Sequence, residues 1–186
     1  MPYVKPLRLY KESLKWKSSK PGRLLCLDLN EKYVDLAVTD PENIVAVPLS
    51  CLHRQENNLD LIADKLQTLI CKHNLIGFVV GYPYLRTTPN ASMINTFVDD
   101  LYKTGKFEGF NYTFWDEQFA TKFIVLTAYA ISMEASSGIF DRAYEFASTY
   151  ISNQIIDRFI AVRILQGYLK SMPEQLYCLT PRSGVI

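Results

Sequence analysis

The sequence lacks the excesses that announce a partner on sight. Twenty basic residues stand against nineteen acidic ones, for a formal net charge of +1. No overall positive field draws this chain to nucleic acid, so any such contact must come from a local basic patch. The four cysteines, Cys26, Cys51, Cys71 and Cys178, are scattered without a C-x-x-C pair, and the two histidines, His53 and His73, are isolated. That spacing argues against a zinc site and reads as free thiols in a reducing compartment. The histidines read as structural or surface residues. No apolar run is long enough to span a membrane, and the first residues lack the apolar core of a secretory signal. No serine or threonine sits in a nucleophile elbow and no cysteine has a matching histidine, so covalent catalysis has no support.

What is present is an ordinary globular composition, 48% hydrophobic and 21% charged over 186 residues, enough for one domain with a sizeable core. The chain is organised around residues 23–32, Arg-Leu-Leu-Cys-Leu-Asp-Leu-Asn-Glu-Lys. Residues 24–29 read as a buried strand with one carboxylate, Asp28, near its end. A buried charge needs a compensating cation, donor or metal. Asp28 is therefore either the first ligand of a metal-binding cluster or a hydrogen-bonded acid at a strand end.

Residues 33–39 alternate as a second strand, with Val34, Leu36 and Val38 on one face, and residues 44–47 are expected to form a third after the turn Asp40-Pro41-Glu42-Asn43. This predicts an antiparallel meander. Leu59, Ile62, Ala63, Leu66, Leu69 and Ile70 mark a helix, capped by Asn57 or Asn58. Residues 76–81 are a near-continuous apolar run, as for a central parallel strand. A second helix carries Met93, Ile94, Phe97, Val98 and Leu101 inward and stops at Gly105 or Gly109. Residues 110–115 read as a fifth strand leading into Asp116-Glu117. Helices are expected at 120–131 and, ambiguously, at 140–150. A more secure one is limited by Pro173, with an irregular tail beyond. Open sheets place ligand sites beyond the carboxyl ends of their strands, where both Asp28 and Asp116-Glu117 fall.

Three segments follow: a basic N-terminal arm at 1–21, a main domain at 22–170 and a C-terminal tail at 171–186. Leu7, Tyr10 and Leu14 lie at helical spacing in the arm, which reads either as a short amphipathic helix or as a solvated, phosphate-contacting extension.

Four stretches in register resemble the YqgF family. They are Leu25-Cys26-Leu27-Asp28 with Leu36 to Pro41, Val79-Val80-Gly81-Tyr82-Pro83, Trp115-Asp116-Glu117, and Ile156-Asp157-Arg158 followed by Ile164-Leu165-Gln166-Gly167-Tyr168-Leu169. Tyr3-Val4-Lys5-Pro6-Leu7 and Pro21-Gly22-Arg23 look like plant members in particular, of which this chain would be a divergent one. The resemblance implies an α/β, RNase H-like mixed sheet of about five strands in the order βββαβαβα, with helices on both faces. It implies a metal-dependent nuclease acting in rRNA 5′-end maturation, with a Holliday-junction-type DNA resolvase as the alternative. It places the acidic site on Asp28, Glu117 and Asp157, holding Mg²⁺ or Mn²⁺, two ions, with Asp116 as a spare. Lys32, Arg86, Lys122, Arg142 and Arg158 are the candidates for phosphate contact. The partners implied are pre-rRNA, as RNA or within a ribosomal particle, or structured DNA, without a membrane and as monomer or weak homodimer. The compartment implied is intracellular and cytoplasmic, with chloroplast or mitochondrion as the alternative.

The chain departs from the family pattern where Asn30 and Asp35 replace glycines, Gln118 replaces an arginine, and Ser152-Asn153-Gln154 replace basic residues. Losing bidentate and close-approach contacts weakens phosphate binding while sparing the acids. A catalytically weakened or inactive nucleic-acid- or ribosome-binding relative is therefore a second expectation. A phosphotransferase of the actin and sugar-kinase type is disfavoured, because no glycine-rich phosphate turn follows Asp28.

Overall fold

The strand bearing Asp28 lies at the centre of the molecule. The computed structural model describes residues 1–15, 22–54, 59–85, 87–116 and 153–179, with the side chains of the last segment described over 160–177. Within these residues the elements are α1 (Pro6–Lys15), β1 (Arg23–Leu29), β2 (Tyr33–Thr39), β3 (Ala46–His53), α2 (Leu59–His73), β4 (Leu75–Tyr82), α3 (Pro89–Lys103), β5 (Asn111–Asp116) and α4 (Asn153–Leu179). The helices expected at 120–131 and 140–150 lie outside the described residues.

The five strands form one sheet in the order β3-β2-β1-β4-β5. β1, β2 and β3 are antiparallel neighbours, as the meander predicts. β4 runs parallel to both β1 and β5. β4 is the apolar run covered on both faces, and its interior residues Phe78, Val79 and Val80 are fully buried. This mixed sheet has the directions and order of an RNase H-like fold.

Alternation along β1 divides its side chains between two cores. Leu25, Leu27 and Leu29 pack with Ile62, Ala63 and Leu66 of α2 and Ile94, Phe97, Val98 and Leu101 of α3. Leu24 and Cys26 pack on the opposite face with Leu9 and Tyr10 of α1 and Ala161, Ile164, Leu165 and Tyr168 of α4. Each such leucine removed from water contributes about 2 kcal/mol, so the two layers clamp the sheet from both sides. α3 starts where Thr88 accepts the Ala91 amide at 3.2 Å with Pro89 in the first helical position. It ends before Gly105, whose φ of 71° only glycine adopts without cost.

Two expectations are corrected. The third strand covers Ala46–His53 rather than 44–47, and Ile44 and Val45 are exposed in the turn before it. Pro48 lies inside this strand, but β3 is an edge strand and its ladder shifts register between Leu36 and Ala37, next to the Ala37–Pro48 pair. An edge tolerates a residue without an N–H donor. The last helix passes through Pro173 and continues to Leu179, where an irregular tail was expected. Proline removes one intrahelical bond, and Met172, fully buried against the second core, holds the turn around it.

The N-terminal residues are part of this packing. Leu9 is fully buried, Val4 donates its amide to the Tyr112 carbonyl at 2.8 Å, and the Tyr168 hydroxyl donates to the Pro6 carbonyl at 2.7 Å. Of the two readings of this segment, the amphipathic helix is the one observed over 6–15.

Candidate active site

Asp28 is the penultimate residue of β1 and is buried, with 7% of its surface exposed. Strand parity sets it with Leu24 and Cys26 on the face covered by α4. Its antiparallel partner is Asp35 of β2, itself 2% exposed. Directly opposed residues on neighbouring strands lie about 5 Å apart on the same face, so two carboxylates share one spot in the sheet. Gly81 flanks Asp28 on the β4 side. A Cβ at position 81 would stand 3.3 Å from Asp28 Oδ1 and 2.8 Å from Ile164 Cδ1 of α4. The glycine therefore leaves the room that Asp28 occupies beneath α4.

The turn after β1 is built by Asn30. Its Oδ1 accepts the amides of Lys32 at 3.0 Å and Tyr33 at 2.7 Å, and its own amide donates to the Tyr33 carbonyl at 3.1 Å. Its Nδ2 donates to Asp35 Oδ2 at 3.3 Å. The two residues that replace family glycines in the hairpin are thus bonded to each other.

Asp116 ends β5 opposite Tyr82. It shares strand parity with Tyr112 and Phe114, which pack toward α2 and α3, so it is set on the face opposite Asp28. Glu117 lies outside the described residues, as do Arg86, Lys122 and Arg142. Asp157 and Arg158 are within the backbone of α4, their side chains outside the description. Lys32 is exposed in the β1–β2 turn. No group of three metal-ligating side chains occurs among the described residues. The donor chemistry of Asp28 and Asp35 nonetheless fits a hard divalent cation, which takes carboxylate oxygens.

Two residues escaped the sequence reading. Asp35 counted there only as a lost glycine; the ladder register makes it the neighbour of Asp28. Arg54 was passed over because β3 was expected to end at residue 47. It follows β3 directly, and its Nη1 donates to the Asn30 carbonyl at 2.6 Å and to Met93 Sδ at 3.1 Å. The guanidinium lies 5.4 Å from the Phe97 ring centroid. Burial lowers its pKa from the usual arginine value. Arg54, Glu31, Ser92, Met93, Phe97 and Asp100 line a cleft of about 630 Å³ beside the hairpin. The signal that would have exposed it is the alternation of β3 extended past Pro48.

Known proteins bear on this geometry. A proposed pre-16S rRNA nuclease of Caldicellulosiruptor saccharolyticus is 28% identical over 157 residues, covering 79% of this chain and 96% of the relative. One of Zymomonas mobilis is 28% identical over 168 residues, covering 89% of this chain and 88% of that protein. Among solved structures, T. thermophilus RuvC in complex with Holliday junction substrate aligns at a TM-score of 0.47 and 8% identity, over 81% of this chain and 96% of that one. The family model described as RuvX, Holliday junction resolvase, matches residues 22–171. The match spans both Asp28 and the α4 positions above it, and the chain belongs to the RuvX family, as its resemblance to YqgF proteins led one to expect.

Proposed function

We propose that this chain is a metal-dependent nuclease that hydrolyses phosphodiester bonds in ribosomal RNA precursors, trimming toward the 5′ end of the small-subunit rRNA. The observation that carries the reading is the buried Asp28 at the carboxyl end of the central strand, given space by Gly81 beneath α4, in a chain of the RuvX family. The names of the similar bacterial proteins supply the RNA substrate.

Asp28, Glu117 and Asp157 would hold the cations. Position 157 precedes Ala161 and Ile164 by four and seven residues, the repeat of the α4 stripe that covers the sheet. Two Mg²⁺ or Mn²⁺ ions, when bound, supply an activated water and neutralise charge on the departing oxygen. Asp28, central in the set, would serve both. The sheet and α4 fix its carboxylate so that no reorganisation is needed as charge develops. The β1–β2 hairpin, locked by Asn30, holds the backbone beside Asp28 rigid.

The test is Asp28→Asn, followed in two ways. Mn²⁺ titration watched by NMR line broadening should mark residues around Asp28 in the wild type and none in the variant. Cleavage of precursor 16S rRNA should fall by more than about a hundredfold, since even residues behind a metal ligand cost ten- to a hundredfold. Unchanged cleavage by the variant would refute the assignment. A four-way DNA junction run in parallel separates the two substrate classes. Salt-dependent binding of RNA without turnover, in a wild type that takes up no Mn²⁺, would instead establish the chain as a binding relative.

A further inference from the structure

The geometry points to Arg54 as a phosphate-binding residue for the substrate strand, seated in the cleft between the β1–β2 hairpin and α3. The inference rests on the nucleic-acid reading above and adds to it a named contact.

Arg54 is a held guanidinium. Its Nη1 donates to the Asn30 carbonyl at 2.6 Å and to Met93 Sδ at 3.1 Å, and its Cζ lies over the Phe97 ring at 5.4 Å from the centroid. A long side chain fixed on three sides has already lost the rotamer freedom that binding otherwise costs. The carbonyl it grips belongs to the residue two places beyond Asp28, so the charge is anchored to the rim of the same strand end.

Among the described residues its positive charge enters no salt bridge; those present are Arg8–Glu12, Lys103–Asp100, Lys106–Asp60 and Lys106–Asp64. Of the acids in the cleft, Asp100 is bonded to Lys103 at 2.8 Å, and Glu31 is exposed in the turn. A guanidinium carries five N–H donors in a planar fork. Among the described residues only Nη1 has acceptors, the Asn30 carbonyl and Met93 Sδ, which leaves Nε and Nη2 to donate elsewhere. A half-buried cation with that fork unspent suits a phosphate, which takes two parallel N–H bonds. Ser92 and Thr96 add hydroxyls to the cleft, and Leu59, Ile62 and Met93 give it an apolar floor. Its volume of about 630 Å³ falls in the range of small-ligand pockets, large enough for one nucleotide. A purely structural role, tying the hairpin to α3, uses Nη1 alone and makes no demand on the rest of the fork.

The experiment is equilibrium binding of a fluorescein-labelled single-stranded RNA, without divalent cation, over a series of salt concentrations. Wild type and Arg54→Met are compared. Arg54→Met should weaken binding about tenfold and lower the slope of log K against log salt by about one, as expected for one lost phosphate contact. An unchanged slope and affinity in folded Arg54→Met, with wild type binding normally, overturns the inference and leaves the nuclease reading intact. A wild type that binds no RNA or DNA overturns both. Should Arg54→Met unfold, the Arg54 Nε–H resonance of the wild type decides. It should shift as the RNA is added, and a resonance that stays in place at saturation overturns the assignment.

Discussion

Asn30 shows how a single side chain can take over what a glycine would otherwise do in a tight hairpin. Among the described residues its φ is not one of the positive values, which fall on Asn43, Asn74, Gly105 and Gly109. Asn30 therefore closes the turn through its amide: two backbone N–H groups on its oxygen, one carboxylate on its nitrogen. Asn30→Gly removes all three bonds and loosens the unfolded chain. It should cost about 1–3 kcal/mol in a urea unfolding curve. Equal stability of the variant would mean the hairpin is set by its strands alone. At this scale the sequence was legible where chemistry is local. Asp28 stood out because a lone acid in an apolar run needs a reason. Asp35 and Arg54 did not, because their meaning comes from register: Asp35 becomes a neighbour of Asp28 only once the ladder is known, and Arg54 meets Asn30 only when β3 is extended to His53.

The elements divide by how strongly pattern dictated them. β1, β2, β4, α2 and α3 follow from alternation, continuous apolarity and helical spacing, and each lies where those periods put it. β3 and the end of α4 do not, because a proline sits in each and its cost depends on whether the strand is at an edge and whether the helix is buried. α1 was ambiguous for another reason, since its seven-residue spacing of Leu7 and Leu14 cannot tell a docked helix from a free one. The docking is specific. Gly77 of β4 has no side chain, and a Cβ there would stand 2.5 Å from Leu9 Cδ1 and 3.1 Å from the Asn111 carbonyl. Leu9 fills the space the glycine leaves. Leu9→Ala should therefore destabilise the protein by about 2–5 kcal/mol in chemical unfolding, as for a fully buried leucine. A loss under about 1 kcal/mol would show that α1 contributes little beyond its own helix.

The whole molecule is nearly neutral, its sequence holds two histidines, and histidine is the side-chain type whose ordinary pKa lies between pH 5 and 7.5. Global stability near neutrality should thus be governed by few groups, and His73 has a built-in direction. It ends α2, with Nδ1 3.4 Å from Arg23 Nη1, while Nε2 is buried and has no hydrogen-bond partner among the described residues. An arginine N–H only donates, so Nδ1 accepts and the ring is neutral with its proton on Nε2. Burial first, then the positive charges of Arg23 and Lys72, lowers the folded pKa from its usual 6.5. As pH falls through 6.5, the unfolded chain takes up a proton at this residue before the folded one does. The stability due to neutral His73 is therefore complete above that pH and declines below it, until the folded ring also protonates. His73→Gln removes the titration but keeps a polar group at the helix end. Its stability curve, followed by thermal unfolding from pH 7.5 to 5, should fall less steeply than that of the wild type. Parallel curves would place the ring in contact with solvent, with the Arg23 contact too weak to hold off the proton.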